Sequence, residues 1–560
     1  MTFLLDVNQL SIDLSVKGSR RNLVHDISFT VEQGRTLGIV GESGSGKSLI
    51  CYSMLGLLTS KKFEVVSGSA LFKDRTDNQI DLLEKKANNA QRMRGQEISM
   101  IFQEPMTSLN PVLPCGLQIE EAIREGKISK SEKKNRVLDL LKQVRLPDPE
   151  RVYKSYPHEI SGGQKQRVVI AMALAGNPSL LIADEPTTAL DVTVQASVLR
   201  LINDLKQQRN MAVIFITHDL GVVKEVADDV LVLRKGKVME YGNVNQILNH
   251  PNNQYTKDLI ACRKILQSGS KDRLPTLNQA ETVLKEKVKK MAHAEILTEP
   301  PILKVEKLSK YYFEKVFFSK NETPSVKAVD EISFELYKGQ TLGIVGESGC
   351  GKTTLGRTIL NLVEPSTGKV WYEGVDITSY SKKEWHTLRK DIQIIFQDPY
   401  ASLNPRLSIK QILLEPIQVH QIGNNDVDRI KKVTDMLEKV GLSSDVLNRY
   451  PHEFSGGQRQ RICIARSLVL EPKLVVCDES VSALDVSVQA QVLNLLNDLK
   501  KEFKLTYIFI SHDLSVVNYM SDTILVMYKG NRIEMGPANE VYLHPQNEYT
   551  QKLINSAPLL

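Results

Sequence analysis

The sequence predicts an α/β protein built twice, each copy around a parallel sheet. Three observations carry that prediction. A twelve-residue segment, YPHEISGGQKQR at 156–167, returns as YPHEFSGGQRQR at 450–461 with ten residues unchanged. The same spacing of 294 positions relates Gln103 to Gln397, Glu185 to Glu479, His218 to His512 and Tyr255 to Tyr549. In each copy a short β-branched run, TLGIV at 36–40 and at 341–345, leads into a glycine-rich loop and then a helix-periodic segment. Strand, loop and helix in that order are the start of a parallel α/β unit.

Composition bounds the rest. A chain of 560 residues is too long for one core. Hydrophobic residues make up 41% and charged residues 25%, with a formal net charge of +6. Those values exclude a disordered or collagen-like chain and are weak support for nucleic acid or lipid as a partner. No apolar run approaches the roughly 18–20 residues of a spanning helix. The opening MTFLLDVNQL has no basic n-region and an early Asp6, so no signal peptide is expected. Six cysteines, at 51, 115, 262, 350, 463 and 477, form no CxxC pair. Neither a disulfide framework nor a zinc site is expected, and a reducing compartment fits.

The repeat divides the chain into a first domain at 1–262, a linker at 263–301 and a second domain at 302–560. Gly, Ser and Pro bracket the charged linker segment ETVLKEKVKK, which reads as a solvated tether with one short helical piece. The loops GESGSGKS at 41–48 and GESGCGKT at 346–353 lie 305 positions apart, so the first copy holds 11 extra residues before Gln103. The polar stretch around Asp74–Ala90 is where a surface insertion is expected.

Each loop has the pattern G-x-x-x-x-G-K-[S/T] between a strand and a helix, the context of a phosphate-binding loop. Gly41, Gly44 and Gly46 let the backbone N–H groups turn inward, and the helix N-terminus adds a positive dipole end. Lys47 supplies an ammonium to phosphate oxygens, and the Ser48 hydroxyl can ligate Mg²⁺. Gly346, Gly349, Gly351, Lys352 and Thr353 repeat the arrangement. The apolar strands LLIAD at 180–184 and LVVCD at 474–478 end in Asp184 and Asp478, placed to hold Mg²⁺. The adjacent Glu185 and Glu479 can orient or deprotonate a water. Strands AVIFIT and TYIFIS end beside His218 and His512, which read as contacts to a terminal phosphate. The turns Ser161-Gly162-Gly163-Gln164 and Ser455-Gly456-Gly457-Gln458 open helices and read as anion-binding turns.

Taken together, these residues resemble the ABC-type ATPases over nearly the whole chain except the linker. The order runs from phosphate loop through Gln103, SGGQ, Asp184-Glu185 and Ala189-Leu190-Asp191 to His218. It recurs with Gln397, SGGQ, Asp478-Glu479, Ala483-Leu484-Asp485 and His512. The resemblance implies tandem P-loop NTPase domains of RecA-like fold, each with a helical subdomain and a small antiparallel β subdomain. It implies ATP and Mg²⁺ as cofactors, and head-to-tail pairing with each ATP between one phosphate loop and the other signature. The segments QEPMTSLNP and QDPYASLNP, with HPxNxYT at His250–Thr256 and His544–Thr550, look like the dipeptide/oligopeptide/nickel import group. The fused form is similar to glutathione-type peptide importer ATPases.

That branch implies two membrane permease subunits as partners, an extracytoplasmic solute-binding protein acting through them, and a peripheral place on the cytoplasmic membrane face. It implies no nucleic acid. Members with an iron–sulfur segment carry a Cys-rich stretch after the first domain; only Cys262 stands there, so no cluster is expected. Tyr312 matches the aromatic that stacks on adenine, whereas Leu14 holds that place in the first copy. Cys350, where the first loop has Ser45, is expected to make the second site thiol-sensitive. The rival class is a soluble duplicated ABC protein acting on the ribosome. A longer helical linker and SGGE in place of SGGQ mark that class, and the SLNP segments are foreign to it.

Overall fold

The computed structural model describes all residues except 1–2, 17–18, 59, 61, 85–87, 104–107, 125–127, 189, 277–299, 314–325, 483 and 559. The chain divides into two units. One is Met1–Leu190 with Val194–Arg263 and Pro558–Leu560; the other is Asp191–Thr193 with Lys264–Ala557.

The first unit contains β1 (Phe3–Val16), β2 (Ser19–Glu32), β3 (Thr36–Gly41), β4 (Phe63–Lys73), β5 (Gln79–Asp81), β6 (Ile98–Ile101), β7 (Leu180–Asp184), β8 (Ala212–Thr217), β9 (Asp229–Arg234) and β10 (Lys237–Asn243). Six form a sheet in the order β10-β9-β3-β8-β7-β6, parallel except for the antiparallel edge strand β10. Strands β3, β7 and β8 are buried at every position. This explains their unbroken apolar runs: a strand covered on both faces has no side to give to water. Parallel pairing brings the C-terminal ends of β3, β7 and β8 to one edge, which sets the glycine loop beside Asp184 and His218.

The other four strands make an antiparallel sheet, β2-β1-β4-β5. Its inner residues Leu5, Val7, Ile27 and Phe72 share a core with Ile50 and Met54 of the helix Lys47–Met54 and with Ile182 and Ile214 of the larger sheet. The opposite face packs against helices Cys115–Ala122, Lys130–Gln143 and Gly162–Leu174 through Ile119, Val137, Leu141, Val168 and Phe215. Lys130–Gln143 starts at a capping box, where Ser129 N–H donates to Glu132 Oε2 (2.8 Å) and Glu132 N–H donates to Ser129 Oγ (3.2 Å). Its apolar stripe Val137, Leu140 and Leu141 is buried.

The second unit repeats this plan with β11 (Leu303–Tyr312), β12 (Val326–Leu336), β13 (Thr341–Val345), β14 (Thr367–Tyr372), β15 (Val375–Asp376), β16 (Ile392–Ile395), β17 (Leu474–Asp478), β18 (Thr506–Ile510), β19 (Thr523–Tyr528) and β20 (Asn531–Pro537). The sheets run β16-β17-β18-β13-β19-β20 and β12-β11-β14-β15. Helices Ile409–Val419, Asp426–Lys439 and Gly456–Leu468 form its helical part. No helix among the described residues is long and apolar enough to cross a membrane.

Two expectations change. The extra residues of the first copy are not one insertion at Asp74–Ala90. The left-handed glycines Gly68 (φ +101°) and Gly368 (φ +96°) lie at equivalent bulges, 300 positions apart rather than 305. Leu82 and Ile377, which donate to Ala70 O and Val370 O, are 295 apart. Five residues therefore precede the bulge, five more enlarge the β4–β5 turn, and the eleventh lies between Leu82 and Gln103. The first five lengthen the run from the helix into β4 and the next five a hairpin turn, places where a chain grows without moving the sheet.

The linker is the second change, because its described beginning is docked. Lys271 Nζ donates to Asn518 O, Tyr519 O (2.8 Å) and Ser521 O (2.7 Å) at the end of the helix Leu514–Met520. Arg273 pairs with both oxygens of Asp498 at 2.9 Å. Leu274 is buried, its backbone held by the Asn494 side chain at 3.2 and 2.9 Å. Helix-end carbonyls need donors, and a lysine of the linker supplies them; composition could not show that. The segment ETVLKEKVKK lies outside the described residues.

Candidate functional site

The glycine loop of the first half closes on its own lysine: Lys47 Nζ donates to Gly41 O (2.8 Å) and Glu42 O (2.9 Å). The second loop repeats this with Lys352, Gly346 and Glu347 at 2.8 and 2.9 Å. Glycine is required where the helix begins. Gly351 has φ +106°, and a Cβ there would stand 1.9 Å from Ala328 O.

At the second residue of each helix a hydroxyl meets the strand-end carboxylate. Ser48 Oγ donates to Asp184 Oδ1 at 3.0 Å and Thr353 Oγ1 to Asp478 Oδ1 at 2.8 Å. Burial raises both carboxyls above their ordinary range. Asp478 Oδ2 has no hydrogen-bond partner, although it is enclosed. In the second half a hydroxyl, a buried carboxylate and an unshared oxygen together suit a hard cation. Among the described residues no three His, Cys, Asp or Glu side chains form a metal cage, so the protein alone offers only part of such a coordination shell.

Glu185 and Glu479 occupy left-handed backbone, φ 46° in each. That conformation costs an L-residue about 1–2 kcal/mol. It is held by Glu185 N–H donating to Ile216 O (3.0 Å) and Glu479 N–H donating to Ile510 O (2.9 Å). The turn aims each carboxylate back across the sheet edge. Gln103 Nε2 donates to Glu185 Oε2 at 3.1 Å, and Gln397 Nε2 donates to Glu479 Oε2 at 2.7 Å. His218 Nδ1 stands 3.5 Å from Glu185 Oε1, and His512 Nδ1 3.7 Å from Glu479 Oε2. Burial works to raise Glu185, but the hydrogen bond and charge of His218, then Lys47, prevail and hold it at about 2. Glu479 is lowered in the same way by His512 and Lys352. Burial opposes the histidine charges, yet the facing carboxylates raise both above the usual imidazole range.

The SGGQ turns take no part in these clusters. Ser161 and Gln164 bond each other as the capping box of Gly162–Leu174 (Ser161 N–H to Gln164 Oε1, 3.0 Å; Gln164 N–H to Ser161 Oγ, 3.3 Å). Ser455 and Gln458 do the same at 3.1 and 3.4 Å. Gly162 and Gly456 have open space where a Cβ would be, while Gly163 and Gly457 pack on Val194 and Val488. The capped end thus presents backbone N–H groups without a side chain in front. Tyr312 ends β11 half exposed with Lys310 Nζ 5.3 Å from its ring centroid. Leu14 sits across from Phe63 of β4. Ala189 and Ala483 lie outside the described residues.

Three contributors escaped the sequence reading. Tyr52 donates from its hydroxyl to Asp184 Oδ2 at 3.3 Å. Arg357 approaches Asp478 Oδ2 at 4.0 Å. Each lies one helical turn after Ser48 or Thr353, a spacing that was available as a signal. Thr188 Oγ1 donates to Glu185 Oε2 at 2.9 Å. Against the expected thiol sensitivity of the second site, Cys350 is buried in the core, and burial raises its thiol above the ordinary value.

The family model described as ABC transporter matches residues 24–188 and 329–482. The model described as the C-terminal region of oligopeptide/dipeptide transporters matches 533–560. The glutathione import ATP-binding protein GsiA of Pectobacterium atrosepticum is 45% identical over 99% of this chain and 89% of its own length. The protein of the same name from Escherichia coli K12 is 44% identical with the same coverage. With two sheet-edge clusters of one design and matches in both halves, the chain belongs to the ABC transporter family, as an ATPase that carries two of the family's ATP-binding domains in tandem.

Proposed function

We propose that the chain hydrolyses ATP at both halves to drive import of a peptide-type solute, of the glutathione or oligopeptide kind, through a pair of membrane permease subunits. The carrying observation is the duplicated buried glutamate, held ionised by histidine and bonded by glutamine in a costly backbone conformation. A buried carboxylate that stays ionised can accept a water's hydrogen bond. In this reading Glu185 and Glu479 orient and polarise the attacking water. Gln103 and Gln397 fix those carboxylates and sense the terminal phosphate. His218 and His512 keep them charged and reach the same phosphate.

Lys47 and Lys352 exchange their loop carbonyls for phosphate oxygens. Ser48 with Asp184, and Thr353 with Asp478, would hold Mg²⁺, which would supply positive charge to the phosphates. Ser161–Gln164 and Ser455–Gln458 offer N–H groups to phosphate, and Tyr312 stacks on adenine. The relatives' names support the importer reading, as does the matched C-terminal region.

A cleft of about 270 Å³ in the second half supports the permease partner. It is lined by Gln393, Phe396, Pro416, Val419, His420 and Arg466, and Phe396 stands one residue before Gln397. Its exposed Phe396 and Val419 suit an amphipathic helix of a permease subunit docking from the cytoplasmic face. An extracytoplasmic solute-binding protein would act through that permease. The test is purification of the full-length chain from membranes: recovery with a permease pair is expected, and cosedimentation with ribosomes in its place would favour the translation-factor class.

A further inference from the structure

The HPxNxYT motif that ends each half has no part in the chemistry above. In the second half its loop is fastened to β20, where Glu534 accepts the N–H of Gln546 at Oε1 (2.9 Å) and that of Asn547 at Oε2 (3.2 Å). Asn547 caps the helix Glu548–Asn555 by accepting the N–H of Tyr549 at 2.9 Å. The Tyr549 ring packs 4.3 Å, centroid to centroid, from Tyr528 at the end of β19. This scaffold delivers one hydroxyl to the glycine loop: Tyr549 Oη accepts the backbone N–H of Glu347 at 3.1 Å. The carbonyl of the same residue accepts from Lys352 Nζ at 2.9 Å. Both backbone polar groups of Glu347 are thereby held, the N–H by the C-terminal motif and the carbonyl by the phosphate-binding lysine and by the Cys350 N–H at 3.2 Å. Burial raises the phenol far above its ordinary value, so it stays a neutral acceptor at all working pH.

We propose that Tyr549 is a positioning residue for the second phosphate loop, and that the C-terminal motif tunes nucleotide affinity through it. The proposal rests on the reading of 346–353 as a nucleotide loop. To bind phosphate, Lys352 must leave the carbonyls of Gly346 and Glu347. A loop whose Glu347 is already pinned from outside keeps its curl when that happens, and loses less freedom on binding. The first half repeats the scaffold. Glu240 accepts the N–H groups of Asn252 and Asn253, but the Tyr255 ring lies under Arg234 at 5.0 Å instead of against a second aromatic ring.

Tyr549→Phe removes the hydroxyl and keeps the ring. In full-length chain carrying Lys47→Ala, MgATP binding reports the second loop. There Tyr549→Phe should raise Kd about three- to tenfold, the worth of one neutral hydrogen bond. In the Lys352→Ala background, where binding reports the first loop, the same change should leave Kd unaltered. A merely structural part in packing the C-terminus would not single out one loop. An unchanged Kd in the Lys47→Ala background, or equal weakening in both, would overturn the proposal. If the Lys47→Ala parent itself failed to bind MgATP, the loop assignment would fall, and the proposal with it.

Discussion

In the first half the outer oxygen of the strand-end aspartate, Asp184 Oδ2, receives the Tyr52 hydroxyl at 3.3 Å. In the second half Asp478 Oδ2 has no hydrogen bond and faces the Arg357 guanidinium at 4.0 Å. The neighbouring glutamates differ in the same way. Thr188 donates its hydroxyl to the Glu185 carboxylate, whereas Ser482, at the equivalent place, donates to the Glu479 backbone carbonyl at 3.0 Å. Lysine, glutamine, histidine and both carboxylates occupy the same sheet edge in each half; what differs is the set of side chains behind them. The halves therefore present the same groups and differ in how firmly those groups are held, a difference that should show in affinity and rate.

The strongest way to break that equality is to remove the glutamate charge. Glu185→Gln and Glu479→Gln should each slow hydrolysis at their own site about 10²–10⁴-fold while nucleotide still binds. Single-turnover assays of the two variants decide it, and a wild-type rate in either would make that half non-hydrolytic.

A smaller effect separates the halves in stability. The second unit takes the Lys271 ammonium inside, and burial with Lys500 nearby pulls it down to about 8 against the attraction of Asp522. Because the folded pKa lies below the ordinary one, the folded chain sheds this proton first. Its stability should then rise between about pH 8 and 10.5, by about 1–3 kcal/mol. Denaturant unfolding of Lys271→Met should lack that rise.

Adenine stacking gives the next contrast. Tyr312→Leu should weaken ATP at the second half about tenfold, and Leu14→Tyr should tighten the first by a similar factor; aromatic stacking on a base is worth about 1–3 kcal/mol. Equilibrium binding in the two phosphate-loop lysine backgrounds measures both. The smallest effect is expected at Thr188. Thr188→Val should cost about 1 kcal/mol of transition-state stabilisation, about fivefold in rate, whereas Ser482→Ala should leave the Glu479 rate nearly unchanged. Equal losses would mean that the hydroxyl's target does not matter.

Much of the site could be read from the chain. The glycine loops, the strand-end Asp-Glu pairs and the histidines are marked by residue type and position within a few residues of a strand. Cys350 shows the limit: its place in the loop was legible, but its burial was not. The SGGQ turn shows another. Ser161 and Gln164 were read as anion ligands, and the structure gives them a second task, capping a helix, which any Ser-x-x-Gln before an apolar run can perform.

What the sequence by itself determined is local or repeated: two copies, buried parallel strands, and which residue types end each strand. Those follow from hydrophobic period and glycine spacing, which act over a few residues. Only the tertiary structure decided that Tyr52 meets Asp184 across 132 positions, that Glu347 meets Tyr549 across 202, and that Lys271 ends a helix 248 positions away. Such contacts depend on where the sheets place chain segments, and no composition or period specifies a partner at that distance.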